Sequence, residues 1–274
     1  MLRARVISAF VLGIPALLAV IAGGWWYAAV LMLVLGLAAI EFTQLVARRG
    51  HRAFGGLLLV WVAVFLLDRL FPDHHLMEPG MAILLLATIA WALIRYTQGT
   101  VNAVMGLSLT VLAGLFLGWS GAHFLGVRSL DNGLFWMLAV ILAVWATDSA
   151  SYFVGSAVGR TRMNTAISPG KTWEGYVGGI AGGLLGMVVF VALWQATGSD
   201  SPAPLVNVLG VGLIASIVGP LGDFAISALK RYAGVKDSSH LIPGHGGMLD
   251  RIDTLLVTGL LSYYYLSFIV LSGG

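Results

Sequence analysis

The chain has 274 residues, of which 59% are hydrophobic and only 10% charged, with a mean hydropathy of +0.93. A soluble domain carries about 25% charged residues, so this composition excludes a water-covered globular surface and requires lipid over much of the protein. Cysteine is absent, which excludes disulfides and thiolate metal sites, and the formal net charge of +3 says little until its distribution is read. The 36 glycines suit transmembrane helix packing, where small residues let backbones approach closely.

In chain order, Arg3 and Arg5 precede a first apolar run that could pass for a secretion signal, but no convincing A-x-A cleavage site follows. The run ends at Gly23-Gly24 and a second hydrophobic stretch opens at Trp25, so the first segment is expected to remain as a helix. Windows of about 19 residues, matched to a hydrocarbon core of roughly 30 Å, predict nine spans. They lie near 6–23, 25–46, 53–71, 80–96, 102–125, 133–159, 174–196, 204–232 and 253–271. The fourth is short and ends at Arg95, while the sixth and eighth are longer than a span needs and carry polar residues at their cytoplasmic ends. The fold class expected is all-α, a polytopic transmembrane helical bundle.

With the N-terminus placed in the cytoplasm, 13 of the 15 Lys and Arg residues fall inside and only Arg69 and Arg128 outside. That asymmetry is what the positive-inside rule requires, and it supports an odd number of spans. Trp25, Trp26, Trp119 and Tyr263 to Tyr265 fall near the expected interfaces, as an aromatic belt does. Asp73, His74 and His75 read as a solvated outer loop rather than a metal site. Residues 1–130 read as an N-terminal helical scaffold, plain apart from Glu41 and short loops. Residues 131–274 read as a C-terminal module carrying the longest polar loops, near 160–173 and 233–252.

The acidic residues Asp148, Glu174, Asp223, Asp237, Asp250 and Asp253 all fall on or near the cytoplasmic side of this map. Asp148 and Asp223 follow long apolar runs, and a carboxylate at membrane depth costs several kcal/mol unless paired, hydrated or metal-bound. The densest stretch is SALKRYAGVKDSSHLIPGHGGMLDRID, Ser227 to Asp253. Lys230, Arg231 and Lys236 supply positive charge suited to phosphates. Gly244, Gly246 and Gly247, flanking His245, let a backbone approach an anion and point N–H groups at it. Asp250 and Asp253, three apart, share one face of a helix start. Carboxylates and basic side chains in one loop fit a divalent metal bound together with polyphosphate.

This stretch resembles the signature of the phosphatidate cytidylyltransferases, also called CDP-diacylglycerol synthases. Its fixed positions appear as Ser227, Lys230 and Arg231, then Lys236 and Asp237, then Pro243, His245, Gly246 and Gly247, and finally Asp250, Arg251 and Asp253. The upstream segments DSASYFVGSAVGRTR and SPGKTWEG also look like that family, whereas the first half matches only as a hydrophobic frame. The resemblance implies an enzyme joining CTP to phosphatidic acid, giving CDP-diacylglycerol and pyrophosphate. It implies a multi-pass protein of the bacterial inner membrane with its site facing the cytoplasm. The lipid bilayer is then its setting, a homodimer is admissible, and no nucleic-acid partner is expected.

On that reading Asp223 and Asp250 would hold Mg²⁺ or another divalent ion, and Asp253 would either ligate a second cation, a monovalent one included, or orient the ligands of the first. Lys230, Arg231, Lys236 and Arg251 would neutralise the triphosphate or the lipid head group, and His245 would donate a hydrogen bond. Ser168, Lys171, Ser227, Asp237, Gly246 and Gly247 would contact substrate, with Asp148 further back. PGKT at 169–172 is not a P-loop, because Thr165 stands where that motif needs glycine and no strand is expected before it. Instead, Thr172 is expected to cap the helix that begins with Trp173 and Glu174. A transporter would spread acids across the membrane, and a CDP-alcohol phosphatidyltransferase would carry a DG…AR…G…D…D motif that this chain lacks. A CTP-using lipid kinase is separated by its product.

Overall fold

The computed structural model describes residues 2–242 and 246–271, with side chains from Phe10 onward. Among the described residues the chain is helical nearly throughout. The first four helices are α1 (Leu2–Ala22), α2 (Gly24–Ala47), α3 (Gly55–Leu70) and α4 (Met77–Thr97). A continuous rod follows, α5 (Ala103–Ala113) and α6 (Ser120–Ser129) joined by a π-helical turn over Gly114–Trp119. Then come α7 (Gly133–Val158), α8 (Trp173–Ala196), α9 (Leu205–Ile217), α10 (Pro220–Ala233) and α11 (Leu249–Tyr265).

Among the described residues seven helical runs are long and apolar enough to cross a membrane, so this is a multi-pass membrane protein. They are 24–47, 77–97, 103–129, 133–158, 173–196, 205–233 and 249–270, each coinciding with a predicted span. The first and third predicted spans are helices too. At 16 residues α3 rises about 24 Å. The over-long eighth span is two helices, because Pro220 has no N–H to give and disfavours helical geometry in the residue before it. The ladder therefore breaks at Gly219, whose N–H donates to the Ile214 carbonyl that Val218 already uses.

The all-α expectation misses one small feature, an antiparallel hairpin of β1 (Arg162–Asn164) and β2 (Ser168–Thr172). Asn164 turns the chain, its Oδ1 accepting from the N–H groups of Ala166 and Ile167 at 3.1 Å. A strand thus does precede Thr165, contrary to expectation. PGKT lies inside β2 itself, and the argument against a P-loop rests on Thr165 alone.

The chain divides into two compact units, one formed by residues 1–126 with 229–252, the other by 127–228 with 253–274. In the first, Leu35, Leu45, Leu58, Trp61, Phe65 and Leu117 are fully buried. The π-helical turn sits against α3 so closely that a Cβ on Gly114 or Gly118 would come 2.9 Å from Trp61 or Phe65. In the second, α7 and α8 meet along a stripe of small residues, as helices in lipid do. A Cβ on Gly179, Gly182 or Gly183 would come 2.0 Å from Ser151 Oγ, 2.1 Å from Ala150 Cβ and 2.5 Å from Thr147 Oγ1 respectively.

Candidate active site

In the first unit the end of α10, the loop after it and the start of α11 converge on one carboxylate. Lys230 Nζ lies 2.5 Å from Asp250 Oδ1, with the two side chains only 11% and 7% exposed. The other oxygen, Oδ2, accepts from Ser238 N at 2.8 Å, Ser238 Oγ at 2.8 Å and Gly247 N at 3.1 Å. A desolvated charge is tolerated only when its lone pairs are met in this way. The position also helps, since Asp250 lies in the first turn of α11, where the helix dipole favours a negative charge.

The same loop is held from α2 by Glu41, to which the sequence reading gave no role. Glu41 is 3% exposed, and each of its oxygens accepts from one hydroxyl and one backbone N–H. Oε1 takes Ser239 Oγ at 2.6 Å and Met248 N at 2.9 Å, and Oε2 takes Ser238 Oγ at 2.9 Å and Leu249 N at 2.8 Å. The glycine pair is explained by these anions. A Cβ on Gly246 would meet Asp250 Oδ2 at 3.0 Å, and one on Gly247 would meet Ser238 Oγ at 2.0 Å and Glu41 Oε2 at 2.4 Å. Gly246 also has φ +80°, which most side chains disfavour.

In the second unit Lys171, in β2, meets Asp223, in the first turn of α10. Lys171 Nζ is 2.7 Å from Asp223 Oδ2, with the side chains 28% and 33% exposed. Ser227 Oγ donates to Asp223 Oδ1 at 3.0 Å, and the Lys171 ammonium lies 4.3 Å from the centre of the Phe224 ring. The hairpin is fixed at its base, which settles where Lys171 points. Thr172 caps α8 as expected, its Oγ1 accepting from Gly175 N at 3.1 Å. Glu174 accepts from the N–H groups of Arg160 and Thr161 at 3.1 Å, closing the strand ends together.

Within each unit the remaining predicted residues sort by exposure. Arg231, Lys236, Asp237 and Arg251 are exposed in the first, with Arg231 Nη1 donating to the Val235 carbonyl at 3.2 Å. In the second, Ser168 is half-buried, Asp148 exposed, and Asp253 buried, its Oδ1 accepting from Thr254 N at 2.7 Å. His245 lies outside the described residues, as do Pro243 and Gly244.

The donors present are carboxylates, hydroxyls and carbonyls, the hard oxygen set that suits Mg²⁺. Among the described residues no three His, Asp or Glu side chains gather closely enough to cage an ion by themselves. The donor types fit Mg²⁺, which commonly takes one or two protein carboxylates together with substrate phosphate oxygens.

The fold and these clusters define a class, a multi-pass membrane protein with lysine–carboxylate pairs set at the ends of apolar helices. The model of the cytidylyltransferase family matches residues 3–269, and the chain belongs to that family. It is 35% identical to the phosphatidate cytidylyltransferase of Bacillus subtilis over 216 residues, 77% of each chain. It is 34% identical to that of Haemophilus influenzae over 97% of this chain and 99% of the relative. The Pseudomonas aeruginosa enzyme of the same name is 35% identical over 93% of both.

Proposed function

We propose that this protein transfers the cytidylyl group of CTP to phosphatidate, giving CDP-diacylglycerol and pyrophosphate. The observation that carries the reading is the Lys230–Asp250 pair, buried at the head of α11 with both Asp250 oxygens hydrogen-bonded, in a chain with few charges. The family to which the chain belongs supports the same reading.

The phosphate oxygen of phosphatidate attacks the α-phosphorus of CTP, and the bond from that phosphorus to the β-phosphate oxygen breaks. The nucleophile is already anionic, so the step needs positioning and charge neutralisation rather than a strong base. Lys230, Arg231, Lys236 and Arg251 neutralise the triphosphate, and Lys171 with Ser168 meets phosphate from the hairpin. Ser227 orients Asp223, as Ser238 and Gly247 orient Asp250. Asp223 and Asp250, each in its own unit, would offer carboxylate oxygens to a divalent ion, and Asp253 to a second cation, which would supply charge neutralisation when bound. The nine spans expected from the sequence cross with the N-terminus in the cytoplasm, which puts the charged loops where CTP is dissolved and keeps the acyl tails in lipid.

Labelled CTP, phosphatidate and Mg²⁺ with the detergent-purified protein test the reaction. CDP-diacylglycerol and pyrophosphate are expected, abolished by chelator. Labelled lipid phosphate without cytidine would mean a CTP-using kinase, and no product would overturn the reading. The absence of cysteine makes topology equally direct. Ser199→Cys should react with an impermeant maleimide in intact cells, and Thr165→Cys only after lysis; the reverse pattern would invert the orientation.

A further inference from the structure

We infer that Glu41 is a positioning residue for the Asp250 cluster, a carboxylate that shapes the nucleotide end of the site without touching substrate. The inference rests on the proposed reaction. Glu41 is buried near the C-terminal end of a long apolar helix, where an unneeded charge would be costly. Its four donors come from residues about 200 positions later, and all four lie in the segment that carries the Asp250 machinery. Two are the N–H groups of Met248 and Leu249, at the head of α11, which an α-helix cannot satisfy internally.

The link to Asp250 is Ser238. Its hydroxyl oxygen lies 2.9 Å from Glu41 Oε2 and 2.8 Å from Asp250 Oδ2, while its backbone N–H is committed to Asp250. A hydroxyl has one proton, so Ser238 stands between two carboxylates that compete for it. Displacing Glu41 changes both where Ser238 sits and how strongly it serves Asp250. Gly247 is the other route, since it is wedged against Glu41 and Ser238 and donates its N–H to Asp250.

Glu41→Gln keeps the shape but offers an amide nitrogen where two donors point. The hydroxyls can rotate, but a backbone N–H cannot, so at least one donor at the head of α11 loses its acceptor. Hydrogen bonds to charged groups are worth enough that kcat/KM for CTP should fall about 10- to 100-fold. The apparent KM for CTP should rise while that for phosphatidate stays within about twofold, a split that general destabilisation would not produce. Ser239→Ala removes a donor that touches Glu41 but not Asp250, and should raise the KM for CTP about threefold at an unchanged melting temperature. Wild-type kinetics in a folded Glu41→Gln protein would overturn the inference. If that variant does not fold, Ser239→Ala decides, and wild-type kinetics there would overturn it equally. Wild-type protein inactive on CTP and phosphatidate would instead sink the proposed reaction.

Discussion

The two units each hold a lysine–carboxylate pair, and the pairs are built differently. Lys230–Asp250 is about one-tenth exposed and embedded in donors, while Lys171–Asp223 is about one-third exposed, with Ser227 on the free oxygen and an aromatic ring beneath the ammonium. Burial raises the stakes of a charge pair in both directions. A buried pair broken on one side leaves an uncompensated ion, whereas an exposed pair is cushioned by water. The first pair is therefore part of what holds its loop together. The second, about one-third exposed, is open to solvent and less tied to one arrangement.

The largest contrast should come from Asp250→Asn against Asp223→Asn. Asp250→Asn should cut CDP-lipid formation by a factor of at least about 10³, as loss of a preorganised charge does, and also lower stability by about 3 kcal/mol. Activity assays and thermal unfolding in detergent read the two effects. Asp223→Asn should reduce activity by a comparable factor while shifting stability by less than about 1 kcal/mol. Equal losses of stability in the two variants would erase the distinction between a built pair and an adjustable one.

Gly247→Ala sharpens the same contrast from the backbone side. The added methyl has no room beside Ser238 and Glu41, so about 1–3 kcal/mol of destabilisation is expected, together with reduced activity. Its counterpart near Lys171 is milder. Thr172→Ala removes the cap of α8 and should cost about 1 kcal/mol, with Lys171 less firmly aimed and the KM for CTP raised only severalfold. A Thr172→Ala effect larger than that of Gly247→Ala would mean that the hairpin, rather than the α11 loop, is the more tightly built of the two clusters.

How much of this the sequence reveals depends on the range of the interaction. Each predicted span is helical, in one piece or two, because hydropathy is a local property and lipid enforces it. The Thr172 cap and the break before Pro220 are local too, and both follow from residue chemistry. The hairpin is less legible, since five residues of Ser-Pro-Gly-Lys-Thr carry no alternating pattern. Glu41 is the clearest miss. Its oddity in an apolar helix is visible, but its partners lie some 200 residues downstream, and no periodicity connects them. Lys230 and Asp250 stand out in the motif, but their pairing, 20 residues apart through a loop, needed coordinates.

The discontinuity of the first unit bears on how the protein is made. Residues 229–252 belong with 1–126, so that unit cannot be finished until the intervening hundred or so residues have been synthesised. At translation rates of about 5–20 residues per second, Glu41 waits about 10–40 s in or near the bilayer before Ser238, Met248 and Leu249 exist. During that interval its charge must be met by water or by the insertion machinery, because a carboxylate in lipid is costly. Arrival of the α11 segment then does more than complete a site. It supplies the donors that Glu41 has lacked since the second helix was made, so this unit is completed only late in synthesis.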